Sequence, residues 1–319
     1  MAAKEIGGYL ELERFSRPML HEGAVALNCG RNALAYVLRA RGIQKIRIPA
    51  FCCDTVMAAC RKEKVSAAYY AITEDWLPEE QTLAPDEWLY VVNFYGQLSN
   101  ESIGALVRKY TRVIIDHAQA YFQMPLPGVD TLYTCRKFFG VADGAFLYTD
   151  CKLNDTLAQD ESFDRMQFVL GRFERSASEF YALAAANNEF FENEPVKRMS
   201  KLTENLLHAV DYEAVKQRRT ENFAVLHQAF GAINPLRLTV PEGAFMYPLY
   251  LKNGAAVRKV LQGQKIFIPT LWPDVFDICE ETAREYDLAK NILPLPCDQR
   301  YDVNDMKDMI RAVKAAMEE

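Results

Sequence analysis

The feature of this 319-residue sequence that most constrains its fold is the alternation of strand and helix patterns over its first 150 residues. Several strand segments are apolar throughout, which is typical of parallel strands that helices cover on both faces. Strand patterns occupy residues 45–50, 66–72, 88–94, 112–115, 131–134 and 145–149, and helix patterns occupy residues 32–41, 54–64 and 99–109. This alternation predicts an α/β fold built on a mainly parallel sheet.

The second half of the chain departs from this alternation. Residues 161–230 are rich in helix formers and contain one proline, Pro195, which predicts a group of helices leading away from the sheet. Strand patterns return at residues 236–240, 246–251 and 265–268, with helical patterns at 255–261, near 280–290 and from Val303 onward. We therefore predict a large domain over residues 1–225 and a small C-terminal α+β domain over residues 226–319.

Composition and charge argue against several classes of protein. The net charge is −6, so we expect no basic surface for nucleic acid. No apolar run approaches the roughly 20 residues that span a bilayer, and the N-terminus lacks the basic and apolar regions of a secretory signal. The eight cysteines form no C-x-x-C pair and there are four histidines, so we expect reduced thiols and no metal site. These features predict a cytoplasmic protein without a membrane partner.

Two polar residues follow the apolar strand pattern at residues 112–115. Asp116 comes directly after it, and Gln119 follows in the next turn. Ligands of open parallel sheets bind outside the carboxyl ends of the strands. A carboxylate there can pair with the protonated ring nitrogen of a cofactor, although Asp116 could equally cap a following helix. The amide of Gln119 could donate to a cofactor oxygen.

Lys137 is a candidate nucleophile because it lies among aromatic and apolar residues. Such surroundings weaken the hydration of the charged form and favour the neutral amine that a Schiff base requires. The neighbouring Arg136 is a competing cation that could bind phosphate, and Thr134 offers a hydroxyl to the same group. A second phosphate candidate is Gly30-Arg31-Asn32, which precedes the first helix pattern, because a helix N-terminus attracts anions.

The order of these segments resembles that of the DegT/DnrJ/StrS family of pyridoxal phosphate (PLP)-dependent sugar aminotransferases, which have fold type I. Each motif is short, and their shared order over residues 20–315 carries the resemblance. The matching segments are Gly30-Arg31-Asn32-Ala33-Leu34, Ile48-Pro49-Ala50-Phe51, Asn93-Phe94-Tyr95-Gly96, Asp116-His117-Ala118-Gln119-Ala120, Lys137 with Gly140 and Asp143-Gly144-Ala145, Asn193 with Arg198-Met199, Arg218 or Arg219 with Asn222 and Leu226, and Leu293-Pro294-Leu295-Pro296.

The resemblance implies a cofactor and a reaction. PLP would form a Schiff base with Lys137, pair through its ring nitrogen with Asp116 and accept a hydrogen bond from Gln119 at its phenolate oxygen. The enzyme would move an amino group from glutamate or glutamine to a keto sugar linked to a nucleotide, in surface-polysaccharide or antibiotic-sugar biosynthesis. The resemblance also implies a homodimer with shared active sites, in which Asn193 and Arg198 reach the neighbouring subunit's site.

The sequence departs from the family pattern at several places. The threonine of the phosphate turn is replaced by Arg31 or Asn32, and Cys53 takes the place of the aromatic residue that stacks on the cofactor ring. Either Phe51 or Tyr95 could substitute as the stacking residue. One glycine of the lysine segment is Asp143, and the connection from Asp116 to Lys137 is short for the family.

Three alternative functions follow from these departures and from the fold. The protein could be a binding or regulatory relative that no longer turns over. It could instead be a PLP-dependent dehydratase, in which histidine replaces the Schiff-base lysine, but Lys137 argues against this and His117 lies in the wrong segment. A nucleotide-binding α/β protein such as a glycosyltransferase is disfavoured, since no G-x-G-x-x-G follows a strand and no D-x-D ends one.

Overall fold

A seven-stranded sheet forms the centre of the fold in the computed structural model, which describes residues 6–318. Its strands run in the spatial order β1-β7-β6-β5-β4-β2-β3. The neighbours from β6 through β3 are all parallel, whereas β7 is antiparallel to both β6 and β1. The strands are β1 Val25–Leu27, β2 Lys45–Pro49, β3 Ser66–Tyr70, β4 Glu87–Val92, β5 Val113–Asp116, β6 Asp130–Thr134 and β7 Ala145–Tyr148. The predicted mainly parallel α/β sheet is confirmed.

The helices of the sheet region follow the predicted pattern with small shifts at their ends. Ser99 caps the third helix, because its Oγ accepts the Ser102 N–H at 3.1 Å. Asp54 is the first residue of the second helix, whose N-cap is Cys53. The helices are α1 Gly30–Ala40, α2 Asp54–Lys62, α3 Asn100–Tyr110, α4 Gln167–Glu174, α5 Tyr181–Phe190, α6 Lys201–Leu207 and α7 Tyr212–Phe230.

A smaller α+β unit follows α7. Its two strands are antiparallel, with Tyr247 opposite Leu295. A second hydrophobic core lies here, separate from the core of the large sheet, and includes Phe223, Tyr247 and Val313. The elements are β8 Met246–Tyr250, α8 Gly254–Gly263, α9 Val275–Ile278, α10 Arg284–Asn291, β9 Ile292–Pro296 and α11 Val303–Glu318. Residue 225 falls inside α7, and the division into domains 1–225 and 226–319 stays a prediction.

Two strand predictions in this unit are wrong. Residues 236–240 are irregular, because the Thr239 N–H donates to the side-chain Oε1 of Gln97 at 2.8 Å instead of joining a ladder. Residues 265–268 serve to end α8: Lys265 has a φ of 62° and the Ile266 N–H returns to the Leu261 carbonyl at 2.9 Å.

None of the helices in residues 6–318 combines the length and the apolar composition that crossing a membrane requires. The N-terminal residues 1–5, on which the secretory-signal prediction partly depends, lie outside the described residues.

Candidate active site

A cavity of about 590 Å³ opens at the carboxyl ends of β4, β5 and β6. The strand register sets Val92 opposite Asp116 and Asp116 opposite Leu132, so the three strand ends lie side by side. The N-termini of α1 and α2 close another wall. The sequence candidates that line the cavity are Gly30, Arg31, Cys53, Asp116, Gln119, Thr134, Arg136 and Lys137. Residues far apart in sequence therefore converge on one space.

Asp116 forms the buried end of this cavity. Its Oδ2 accepts the Tyr90 hydroxyl at 2.7 Å, and its Oδ1 accepts the Ala118 N–H at 2.7 Å. Burial raises the pKa of the Asp116 carboxyl above its usual value, and the positive charge of Lys137 opposes that shift. A cation placed against Asp116 would stabilise the carboxylate further.

Gln119 presents an amide group without a partner. Its Oε1 accepts the Tyr95 N–H at 2.7 Å, which fixes the amide plane. Its Nε2 is buried and has no hydrogen-bond partner among residues 6–318. Because an unpaired buried donor is costly, this group is suited to a ligand oxygen in the cavity.

Lys137 projects into the cavity from the turn after β6. The structure leaves it exposed, whereas the next residue, Phe138, is buried, so the expected burial of the lysine among aromatic residues is wrong. Its Nζ lies 5.5 Å from the centre of the Phe245 ring, a contact that orients an ammonium group. The exposed amine is accessible to a ligand carbonyl.

The opposite end of the cavity is positively charged. Arg31 and Arg136 both line it, and neither pairs with a carboxylate of residues 6–318. Burial lowers the pKa of Arg136 to about 10, and the nearby charge of Arg31 acts in the same direction. The first intrahelical bond of α1 joins the Ala33 N–H to the Cys29 carbonyl, so the preceding N–H groups point outward. An anion here would relieve the repulsion between the two guanidinium groups.

Asn32 does not contribute its side chain to this end of the cavity. Its Nδ2 donates to the Pro195 carbonyl at 2.8 Å and to Asn28 Oδ1 at 3.0 Å. The expectation that this side chain holds phosphate is therefore wrong, because its amide group is engaged with Asn28 and with the Pro195 carbonyl.

Asn193 and Arg198 also lie away from the cavity, and both are exposed. Arg198 belongs to an extended segment, with its N–H bonded to the Ala158 carbonyl at 2.8 Å. The predicted group of helices over residues 161–230 is therefore interrupted here. Their suggested role in a neighbouring subunit's site stays a prediction.

The wall beside Lys137 contains Cys53 and Trp272. Phe51 and Tyr95, the two suggested stacking residues, are both buried in the core and do not line the cavity. Phe51 packs edge-on against Trp272, with ring centres 4.9 Å apart. Cys53 and Trp272 line the cavity instead, as do the aromatic residues Phe139 and Phe168, so the covering of a cofactor ring falls to these residues.

Asp143, which replaces a glycine of the family pattern, has a structural role. Its carboxylate is fully buried and accepts the Ser200 N–H and the Ser200 hydroxyl, each at 2.7 Å, as well as the Thr203 hydroxyl. These contacts join the lysine segment to the N-terminus of α6. The departure thus replaces glycine with a buried anchor outside the cavity.

His117 does not replace Lys137 in the cavity. Its ring is buried against Tyr133, where Nδ1 lies 3.2 Å from the hydroxyl, and burial lowers its pKa to about 4. This placement argues against the dehydratase alternative.

Sequence reasoning missed several residues that shape the site. Tyr90 supports Asp116, and the Phe245 ring flanks Lys137. Tyr90 carried a usable signal, since it lies in a strand beside the one that ends at Asp116. Phe245 carried none, because it lies over a hundred residues from Lys137 in sequence.

No protein-family model and no curated protein sequence matches the chain. Its structure is similar to that of a DegT/DnrJ/EryC1/StrS aminotransferase from Brucella abortus, at 14% identity and a TM-score of 0.62 over 92% of this chain and 86% of that one. The sugar aminotransferase CalS13 from Micromonospora echinospora is 16% identical, with a TM-score of 0.62 over 92% of this chain and 88% of that one. NtdA from Bacillus subtilis, with bound cofactor PMP, is 12% identical, with a TM-score of 0.63 over 93% of this chain and 73% of that one. At these identities the likeness establishes a shared fold, and the predicted fold type I architecture is confirmed.

Proposed function

We propose that this protein is a PLP-dependent aminotransferase that moves an amino group from glutamate or glutamine to a keto sugar, itself linked to a nucleotide. The observation that carries the proposal is the polarity of the cavity. It is lined by a buried carboxylate, Asp116, on which the charge of Lys137 acts, and by two neighbouring guanidinium groups, Arg31 and Arg136, that form no ion pair with a carboxylate of residues 6–318. PLP has a protonated ring nitrogen, an aldehyde and a phosphate, which match these three kinds of group.

The residues present fit this cofactor in three independent respects. The buried carboxyl of Asp116 needs a cation, and a pyridinium nitrogen would supply it. The unpartnered Nε2 of Gln119 needs an acceptor, and the phenolate oxygen would serve. The Arg31 and Arg136 guanidinium groups and the start of α1 need an anion, which the phosphate provides.

In the proposed reaction, PLP supplies an aldehyde that captures the donor's amino group and a protonated ring that accepts the electron pair left when Cα loses its proton. Asp116 would hold the proton on the ring nitrogen. Lys137 Nζ would hold the aldehyde carbon at rest and, as a free amine once the donor is bound, would carry the proton from the donor's Cα to the cofactor's C4′. The Phe245 ring keeps the ammonium form of Lys137 near its working position.

The amino acceptor is inferred from similar proteins rather than from the cavity of this chain. The matched structures include a protein described as a sugar aminotransferase, and the motif order resembles the same family. We propose a sugar acceptor on that basis.

The proposed homodimer would complete the site from a second copy. The outer faces of α4 and α5 carry exposed aromatic residues, with Phe173 91% and Tyr181 74% accessible. The inner faces of these helices supply Phe168 and Asn188 to the cavity wall. A partner covering the exposed faces would therefore lie beside the wall that these helices give to the cavity.

Release of 2-oxoglutarate from glutamate tests the enzymatic claim. Purified protein is loaded with PLP, the excess is removed, and one equivalent of keto acid per bound cofactor is expected. A Lys137→Arg variant keeps the charge and should release none at a comparable rate, because arginine cannot bond the aldehyde.

The result that would overturn the transaminase claim is PLP binding with no keto acid from glutamate or glutamine. That result would favour a second candidate function, a binding or regulatory relative, for which Cys53 in place of a ring-stacking aromatic residue is the supporting observation.

A further inference from the structure

Arg219 is the most deeply buried cation close to Lys137. It lies on α7, is 1% exposed, and forms no direct ion pair with a carboxylate of residues 6–318; the charge of Asp298, which pairs with Arg300, acts on it from beyond ion-pair distance. Burial lowers its pKa to about 10, which still leaves it charged near neutrality. Burying a charge without a direct ion-pair partner costs free energy that an apolar side chain of similar volume would not cost. The reason for burying this guanidinium therefore lies in the hydrogen bonds that it donates.

Those hydrogen bonds reach two backbone segments near Lys137, the one that follows it in the chain and the one that carries the Phe245 ring. Nη2 donates to the Phe138 carbonyl at 3.2 Å, directly after Lys137 in the chain. Nη1 donates to the Ala244 carbonyl at 2.9 Å and the Phe245 carbonyl at 3.4 Å. The Phe245 ring in turn flanks Lys137 Nζ at 5.5 Å. One planar group thus joins the backbone that carries Lys137 to the backbone that carries its aromatic neighbour.

Gln299 reinforces the same carbonyl. Its Nε2 donates to the Phe138 carbonyl at 2.7 Å, while its Oε1 accepts Arg219 Nε at 2.7 Å. The Arg219 guanidinium also lies 4.5 Å from the centre of the Phe138 ring. The turn after Lys137 is therefore held by two residues of the C-terminal third of the chain.

We propose that Arg219, with Gln299, is a positioning residue for Lys137, which sets the lysine amine where it can bond the cofactor aldehyde. The inference rests on the proposed PLP function and adds a link between α7, the 297–301 segment and the reacting lysine. Arg219 touches neither substrate nor cofactor in this role. Its effect is transmitted through the Phe138 carbonyl and the Phe245 ring.

The rate at which Lys137 captures PLP tests this role. Cofactor-free protein is mixed with PLP, borohydride is added after increasing delays, and the label on the Lys137 peptide is measured by mass spectrometry. In Arg219→Met we expect capture to slow by about 10- to 100-fold, because small misplacements of a reacting group cost that much. Arg219→Lys should recover part of the rate, since one donor can still reach a carbonyl.

A matched control separates positioning from general stability. Asn234, in the loop after α7, is buried and donates to the Pro248 carbonyl at 2.8 Å, and it bonds neither Phe138, residues 244–245 nor the 297–301 segment. Asn234→Ala should therefore lower the unfolding temperature without slowing capture. Gln299→Leu, at a half-buried position, should slow capture with a smaller loss of stability. If Arg219→Met fails to fold, the capture rate of Gln299→Leu tests the positioning role in its place.

Capture by Arg219→Met and Gln299→Leu at the rate of Asn234→Ala would overturn the positioning role. If the natural protein captures PLP and these variants do so equally fast, the proposed function survives and only this inference fails. If the natural protein never acquires label on Lys137, both fail.

Discussion

At the scale of single residues, the candidate site is defined by polar and charged groups that lack an ion-pair or hydrogen-bond partner within the described residues. Asp116 is a buried carboxyl without a bonded cation, and Gln119 has a buried amide nitrogen without an acceptor. Arg31 and Arg136 are cations at one cavity end without carboxylate partners. Such arrangements are uncommon in a region with a purely structural role, because each lowers the stability of the fold.

Replacing Asp116 with asparagine tests the residue that we assign to the ring nitrogen. Asp116→Asn keeps the shape but removes the charge that would hold a proton on that nitrogen. We expect transamination with glutamate to fall by about 100-fold or more, the usual scale for losing one oriented electrostatic contact. Asp54→Asn, which removes an exposed carboxylate of α2, serves as the control. An Asp116→Asn variant as active as Asp54→Asn would contradict the assignment.

Two buried histidines make stability depend on pH. Burial lowers the pKa of both His21 and His117 to about 4, whereas an unfolded chain gives about 6.5. The folded state therefore binds fewer protons, and the stabilisation present above pH 6.5 is lost as the pH falls toward 4. Each histidine should account for about 3 kcal/mol by pH 4.

Denaturant unfolding measured between about pH 7 and pH 5 checks this expectation, since most carboxyl groups titrate lower. His117→Gln should reduce the slope of unfolding free energy against pH in that window. An unfolding free energy that stays constant across the window in the natural protein would contradict the assignment of neutral buried imidazoles.

At the scale of elements, the lysine segment is fixed by its junction with α6. Asp143 bonds Ser200 and Thr203 at the start of that helix. The next residue, Gly144, has a φ of 113°, and a Cβ there would lie 3.1 Å from the side chains of Cys135 and Thr203. Glycine is therefore required at residue 144, whereas residue 143 accepts a carboxylate.

Asp143→Gly, which recreates the family pattern, should destabilise the protein. The change leaves the buried N–H of Ser200 and two hydroxyls without their acceptor, so we expect a loss of about 2–4 kcal/mol in unfolding free energy. Asp150→Ala removes an exposed partner of Arg41 and should cost less than about 1 kcal/mol. Equal unfolding free energies for the two variants would show that the Asp143 contacts contribute little.

The elements that could be predicted from sequence are those whose pattern comes from their own residues. The strand that leads to Asp116 is apolar and buried on both faces, and its continuous run of apolar residues predicts it. Residues 236–240 have a similar composition, but whether they form a strand depends on a neighbour, and Gln97 takes the Thr239 N–H. The three-residue strand β1 depends in the same way on pairing with β7. Local pattern carries no information about such partners.

The same distinction applies within the site. Asp116 and Gln119 could be placed because a strand end determines where the residues after it lie. Asn32 was misassigned because its side chain turns toward Pro195, a partner distant in sequence. The supporting roles of Phe245 and Arg219 depend on the packing of the C-terminal unit, which no short motif encodes.

At the scale of the whole molecule, the exposed aromatic faces of α4 and α5 predict self-association. Neither Phe173 nor Tyr181 is covered within the described chain, and contiguous exposed apolar surface is typical of interfaces. We expect the protein to sediment as a dimer and Phe173→Asp to shift it toward monomer. Ile233→Asp, at another exposed apolar position, should leave the dimer intact. A monomeric natural protein, or a dimer unaffected by Phe173→Asp, would contradict this interface.

The measurement that tests the central claim most directly is peptide mapping after borohydride reduction of the PLP-loaded protein. We expect one pyridoxyl group per chain, located on the peptide that carries Lys137 and lost in Lys137→Ala. Label absent from that peptide, or spread over surface lysines to the same extent in the natural protein and in Lys137→Ala, would contradict the assignment of this cavity to PLP.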